Sequence, residues 1–425
     1  MSAVTLLRRR AATALGSYGA TALGIVGTIV AANVLGVDDF GRLALVLATV
    51  ALFQLFLDLT SEEALVKYGF RYAEREDWGR FRRLFELAFG LKSASAVLAG
   101  LLICAIAPFS DAIFGVDLTA PLLVASVLPI LYSVEGTAAA ALLLRGRYDV
   151  RAFFLFVSMA LRLVALVVGT QYGVTETVVA LVLAQVVATG AIGVMGLEAL
   201  RRFPRVERVA LADDRREIVS FVVQSSVGTG IVSVRGWISQ VLLGVVSTVA
   251  QVGLFRAAQA PQQGLAALSS PVRLILLTDQ TRHWERGRPD AVLAGLRRYT
   301  VGAALLMVVV VPVFWWLMPW LFDLVLPDYS NAVDAARIVL IAGAIQLVYG
   351  WSKSLPVSIG RPNLRVLAHG IETVVLVPLL VVLGAEWGAT GAAAAVLVST
   401  VVFAAVWTFL LTRIRAHPPV QVSTV

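Results

Sequence analysis

Apolar residues run through this chain in long stretches, and polar residues gather in the short connections between them. Twelve such stretches, from 14–36 at the start to 388–411 at the end, approach or exceed the roughly 20 residues that carry an α-helix across a bilayer. The pattern predicts an all-α integral membrane protein with 12 transmembrane helices. Six crossings per half point both halves the same way through the membrane, so related halves would form a parallel repeat. The longest basic connection, 198–216, lies at the midpoint and divides an N-terminal lobe, 1–205, from a C-terminal lobe, 206–425.

Charge assigns the orientation. Of the 35 Lys and Arg residues, 27 fall on alternate connections, Arg42 alone falls on the opposite set, and seven lie inside apolar stretches. Membrane insertion leaves basic loops on the cytoplasmic side, so the pattern places both termini in the cytoplasm of a multi-pass protein of the cell membrane. Composition agrees: 59% of the 425 residues are hydrophobic and only 15% are charged, against about a quarter charged in soluble domains. The net charge of +8 is accounted for by loops beside anionic headgroups and calls for no nucleic acid. One cysteine, Cys104, rules out an internal disulfide, and His283, His369 and His417 lack metal-ligand spacing. No metal or cofactor is expected. The apolar stretch after Arg8, Arg9 and Arg10 is too long for a signal-peptide core and reads as a retained first crossing.

Ionisable groups inside the apolar stretches are the candidate chemistry, because a charge in hydrocarbon is costly unless it faces a cavity or a partner. Along 249–277, Arg256, Gln259, Gln263, Ala266, Ser270 and Arg273 recur at helical spacing and form one polar stripe, beside which Pro261 can kink the helix. A second stripe joins Ser225, Gly228, Val232, Arg235 and Ser239. At 1.5 Å per residue, Arg235 and Arg256 both lie about 10–15 Å from the outer ends of adjacent helices, at one level. Arg162 has no acid on its own face. Asp58 or Glu135 would neutralise it as a buried pair, or would carry a proton or Na⁺ relay. Lys67 follows Glu63 at i+4 and Arg337 follows Asp334 at i+3, so local pairing accounts for both. Lys92, six residues after Glu86, is off that acid's face and reads as snorkelling inward.

Two regions carry a family likeness. They are Ala32-Asn33-Val34-Leu35-Gly36-Val37-Asp38-Asp39-Phe40-Gly41-Arg42-Leu43-Ala44-Leu45-Val46 and Phe56-Leu57-Asp58-Leu59-Thr60-Ser61-Glu62-Glu63-Ala64-Leu65-Val66-Lys67-Tyr68. They resemble the polysaccharide transporter family, lipid-linked oligosaccharide flippases of the superfamily that also contains the multidrug and toxin extruders. The segment Val252-Gly253-Leu254-Phe255-Arg256-Ala257-Ala258 is similar to the family's returning motif. The resemblance implies two six-helix lobes around a central cavity, working by alternating access. Ser239 stands where many relatives carry an acidic residue.

On that basis Arg235, Arg256, Gln259, Gln263, Ser239 and Arg162 read as substrate contacts. Guanidinium forks suit phosphate, and amides and hydroxyls suit sugars, so a lipid-linked, pyrophosphate-bearing oligosaccharide offers both chemistries on one molecule. Membrane lipids are the surroundings, and glycosyltransferases or a polymerase of the same route are the natural partners. A multidrug extruder is the alternative, although organic cations favour carboxylates and aromatic faces. A membrane glycosyltransferase or polymerase needs acid/base carboxylates in a sizeable loop, and the outward connection 108–118 offers only Asp111 and Asp117. No enzyme is expected.

Overall fold

The computed structural model describes residues 3–57, 61–204, 206–211, 214–359, 361 and 363–416, and every regular element among them is helical. Helices follow from the apolar stretches because backbone polar groups in lipid must bond within their own segment. Among the described residues, eight helices are long and apolar enough to cross a membrane. This is a multi-pass, all-α membrane protein.

The chain forms two compact units, Met1–Trp237 and Ile238–Val425. The first holds α1 (Ala3–Leu57), α2 (Ser61–Glu74), α3 (Trp78–Ile106), α4 (Ser110–Phe114), α5 (Thr119–Ala125), α6 (Leu128–Leu144), α7 (Tyr148–Gly169), α8 (Val174–Arg201) and the start of α9 (Arg215–Val246). Within it α1 packs along α7, α8 packs on α6 and α7, and α2 packs on α3. Small residues allow the close approach: a side chain at Gly196 of α8 would meet the backbone of Ala138 on α6 at 2.6 Å. At one end, buried Leu65, Tyr68, Tyr72 and Phe81 close a core against Ala138–Leu142.

The connection after α8 is fastened to that end. Leu211 is buried in the same core, Arg208 pairs with Glu86 at 3.0 Å, and the Tyr72 hydroxyl donates to Asp214 at 2.7 Å. Arg71 grips both carboxylate oxygens of Glu217, at 3.0 and 3.1 Å. The bond to Glu217 holds the Arg71 proton more tightly than usual. Burial, with the Asp214 carboxylate beside it, pushes the Tyr72 hydroxyl well above the ordinary range.

The second unit continues α9 and adds α10 (Val249–Ala258), α11 (Ala260–Glu285), α12 (Pro289–Val325), α13 (Val333–Val348), α14 (Leu355–Ser358) and α15 (Asn363–Ala416). In it α13 packs against α11, α12 and α15. Trp351, Phe403 and Trp407 form an aromatic core with Val292 and Leu296. Large apolar side chains such as Val308, Trp316 and Val374 face outward, as a lipid-facing surface requires.

Two helices are far longer than one crossing and each breaks at a glycine. α1 bends at Gly36 (φ 73°, ψ 179°) and α15 at Gly388 (φ 55°, ψ −129°). These backbone angles are freely open only to glycine. The Leu35-Gly36 motif therefore has a concrete role, which is to end one helical run and start the next. In the second unit α9 ends at Val246, and the turn follows at Thr248, whose side chain caps α10 by accepting from the Gln251 N–H.

Candidate functional site

In the second unit the polar stripe predicted along 249–277 is divided by a helix break. α10 ends at Ala258, Gln259 sits in the turn, and α11 starts at Ala260 with Pro261 in its first turn. Proline has no N–H to continue the ladder, and its ring crowds the preceding turn, so the break falls just before it. Arg256 is half-buried on α10, Gln259 is buried at the break, and Gln263 is half-buried on α11.

The break opens into a line of amides. Gln240 of α9, 1% exposed, donates to the Gln259 side chain at 3.0 Å, with buried Ser239 next to it. One turn along α11, Gln262 donates to Gln346 of α13 at 3.1 Å, and Gln346 donates to Thr400 of α15 at 3.3 Å. Gln240, Gln262, Gln346 and Thr400 escape a sequence reading keyed to charges. Their signal is uncharged polar side chains set in apolar helices, which find one another there.

Arg235 is half-buried on α9 within the first unit. Arg235, Arg256 and Ser239 each make further interactions. Gly228 and the side chains of Val232, Ser270 and Arg273, also predicted for the two stripes, lie outside what is described, as does Asp58 altogether.

The first unit contains a second polar constellation, inside its own helices. Lys92 on α3 is 6% exposed and ion-paired with Glu62 on α2, so it does not snorkel. Its partner lies 30 positions away on another helix, and a buried ammonium needs such a carboxylate against it to offset the lost hydration. Gly136 of α6 makes room for this pair: any side chain there would collide with both the Glu62 carboxylate and the Lys92 ammonium. Next to it Glu135 accepts from Gln185 of α8 at 2.6 Å, and Gln185 also donates to Thr189 at 3.0 Å. Glu62, Lys92 and Arg151 lie within electrostatic reach of Glu135.

Arg162 is half-buried on α7, and no ion pair joins it to Glu135. It hydrogen-bonds with the Tyr132 side chain, and with Tyr132, Ser158 and Gln185 it lines a cavity of about 20 Å³, room for a single water. Two local pairs expected for cations resolve differently. Arg337 does bond Asp334 at 3.2 Å and also the Trp315 carbonyl. Lys67 is exposed, its ammonium 4.1 Å from the Phe221 ring centre and 5.1 Å from that of Tyr68, while the Glu63 side chain lies outside the described residues.

With these arrangements in view, residues 6–272 match the family model described as "Polysaccharide biosynthesis protein". No curated protein matches the sequence. Among solved structures, one is an inward-facing multidrug resistance MATE family transporter of the MOP superfamily, with 15% identity, 93% of this chain and 94% of that chain covered, and a TM-score of 0.71. The lipid II flippase MurJ in an inward closed conformation matches at 10% identity, with 94% and 87% covered and a TM-score of 0.73. A MOP superfamily transporter from Pyrococcus furiosus, described by the reverse polarity of its binding pocket, matches at 14% identity over 98% of both chains, with a TM-score of 0.61. At these identities the three establish a shared fold.

Proposed function

Since the chain belongs to this polysaccharide biosynthesis family, we propose that it is a flippase for a lipid-linked, pyrophosphate-bearing oligosaccharide. It would carry that molecule across the cytoplasmic membrane by alternating access, for surface polysaccharide assembly. The observation that carries this reading is the break at Gln259, where Arg256, Gln240, Gln259 and Gln263 place a guanidinium and three amides in an apolar segment. Arg256 serves the pyrophosphate and the amides serve sugar hydroxyls. Arg235, Ser239 and Arg162 are assigned as further substrate contacts. Glu135, held by Gln185, and Asp58 are the candidates for an ion relay or buried pair.

Twelve crossings follow if α1 and α15, each broken at a glycine, count twice, and α9 and the α10–α11 run count once each beside the eight apolar helices. We assign both termini to the cytoplasm on the charge pattern, and glycosyltransferases of the same route as the suppliers of substrate.

The test is complementation. In a cell whose surface glycan depends on this protein, Arg235→Ala and Arg256→Ala reduce surface glycan while the protein remains in the membrane. Unchanged glycan rejects the assigned site. The likeness to the multidrug transporter over 93% of this chain supports drug extrusion as the second reading. Resistance to cationic dyes on overexpression, without a glycan defect on deletion, would select it.

A further inference from the structure

The connection between α8 and α9 brings an arginine to two others at the rim of the first unit. Glu86 on α3 takes all three: Arg82 at 3.2 Å, Arg83 at 3.9 Å and, from the connection, Arg208 at 3.0 Å. Arg82 also donates to the Val206 carbonyl at 3.4 Å, so α3 holds the connection at two points. The three guanidiniums bring roughly fifteen N–H donors to one carboxylate with about four acceptor positions. Their side chains are 45, 41 and 59% exposed. Even with neighbouring Glu207 counted, these arginines outnumber the acids three to two. The cluster heads an apolar track. After Arg83 the exposed residues Leu87, Leu91, Leu98 and Leu101 follow along one face of α3. From Arg83 to Leu101 is about 27 Å, most of the ~30 Å hydrocarbon thickness, which sets the guanidiniums at headgroup height. On the connection, Val206 and Val209 flank Arg208 and are 45% and 46% exposed. Such a mixed apolar and cationic surface suits a segment that rests on a membrane.

We infer that an anionic phospholipid of the surrounding membrane docks here, its phosphate held by Arg82, Arg83 and Arg208 and its acyl chains along α3. The surplus of guanidinium donors calls for an anion that accepts several of them, as a phosphate does. A zwitterionic headgroup brings its own cation, which the arginines repel. A soluble anion has no use for the apolar track below Arg83 or for the valines beside Arg208. On the orientation proposed above, this end faces the cytoplasmic leaflet, whose anionic lipids attract basic segments. The lipid adds a bridge between α3 and the connection alongside the Glu86 pairs, so membrane composition sets how firmly the connection is held. The site uses none of the residues assigned to pyrophosphate or sugar, and it stands whether or not the chain carries a glycan.

The experiment follows hydrogen exchange at residues 206–211 of the full chain, in nanodiscs of phosphatidylcholine alone or mixed with phosphatidylglycerol. Phosphatidylglycerol should slow exchange about fivefold, the worth of one net cation at an anionic surface, and high salt should erase the gain. Arg83→Gln separates lipid from packing. Arg83 pairs within α3, so this variant should match wild type in phosphatidylcholine and lose the response to phosphatidylglycerol. Glu86→Gln removes the carboxylate that competes for the guanidiniums. Its connection should open faster in phosphatidylcholine, and phosphatidylglycerol should restore it. Arg75→Gln, at an exposed arginine in the turn before α3, should respond as wild type does. Equal exchange in the two lipids, or a response that Arg83→Gln leaves intact, overturns the inference. Slowing by glycerol 3-phosphate in phosphatidylcholine also overturns it, since the cluster would then be a site for soluble phosphate.

Discussion

Lys92 and Glu62 form an ion pair directly over Gly136, a position where any side chain would occupy the space of both charged groups. Three helices, α2, α3 and α6, are thereby fitted to one another at a single point. The Lys92 side chain is 7% exposed, whereas that of Glu62 is 36% exposed, so the pair is only half enclosed.

Removing one partner should therefore cost less than the loss of a fully buried pair. We expect Lys92→Met to destabilise the protein by about 2 kcal/mol, below the 3–5 kcal/mol typical of dry pairs. The double variant Lys92→Met with Glu62→Gln should recover most of that. Gly136→Ala should resemble the single variant, since its methyl group forces the pair apart. Thermal unfolding in detergent measures all three, and a Gly136→Ala protein as stable as wild type would contradict the packing.

A second glycine is fixed by its backbone. Gly388 has φ 55°, and the Gln251 side chain lies against it while accepting the Ala389 N–H at 2.7 Å. Gly388→Ala adds both left-handed strain and a collision with Gln251, for about 2 kcal/mol. Gln251→Ala should cost about 1 kcal/mol for the lost bond. The double variant should be milder than the sum, because removing Gln251 relieves the collision. Additive losses in a double-mutant cycle would show that the two residues do not interact.

These cases mark what sequence reading can reach. Gly36 was legible as part of a motif and Pro261 as a kink, because both act on their own backbone within a few residues. The helical class and its membrane character were legible too, since hydropathy operates over each segment separately. Lys92–Glu62 and Glu135–Gln185 were not legible. Their partners lie 30 and 50 positions apart, and helix periodicity gives a residue's face but not the face opposite it. The same limit hid Gln346 and Thr400, which meet Gln262 only because α11, α13 and α15 pack together.

The docked connection after α8 makes a third prediction. Tyr72 is 1% exposed and its hydroxyl is bound to the Asp214 carboxylate. Tyr72→Phe should cost about 1.5–3 kcal/mol, the usual range for a bond to a charged group. Arg71→Ala, which frees a surface carboxylate, should cost no more than about 1 kcal/mol. Hydrogen exchange should show residues 206–211 opening faster in Tyr72→Phe, with α7 unchanged. Equal exchange in both variants and wild type would mean that Leu211 burial alone holds the connection.

The Gln240–Gln259 bond allows stability and function to be separated. Gln259→Leu alone leaves the buried Gln240 amide without its acceptor, at about 1–3 kcal/mol. Replacing both by Leu removes donor and acceptor together, so unfolding should return near the wild-type temperature. Export should not return with it if amides at the α10–α11 break contact the sugar, as we propose. The measurement pairs thermal unfolding of the purified double variant with surface glycan in a complemented cell. A stable double variant that restores glycan would place sugar recognition away from this break. One that is stable and silent ties the amides to transport, since loss of fold would no longer explain the defect.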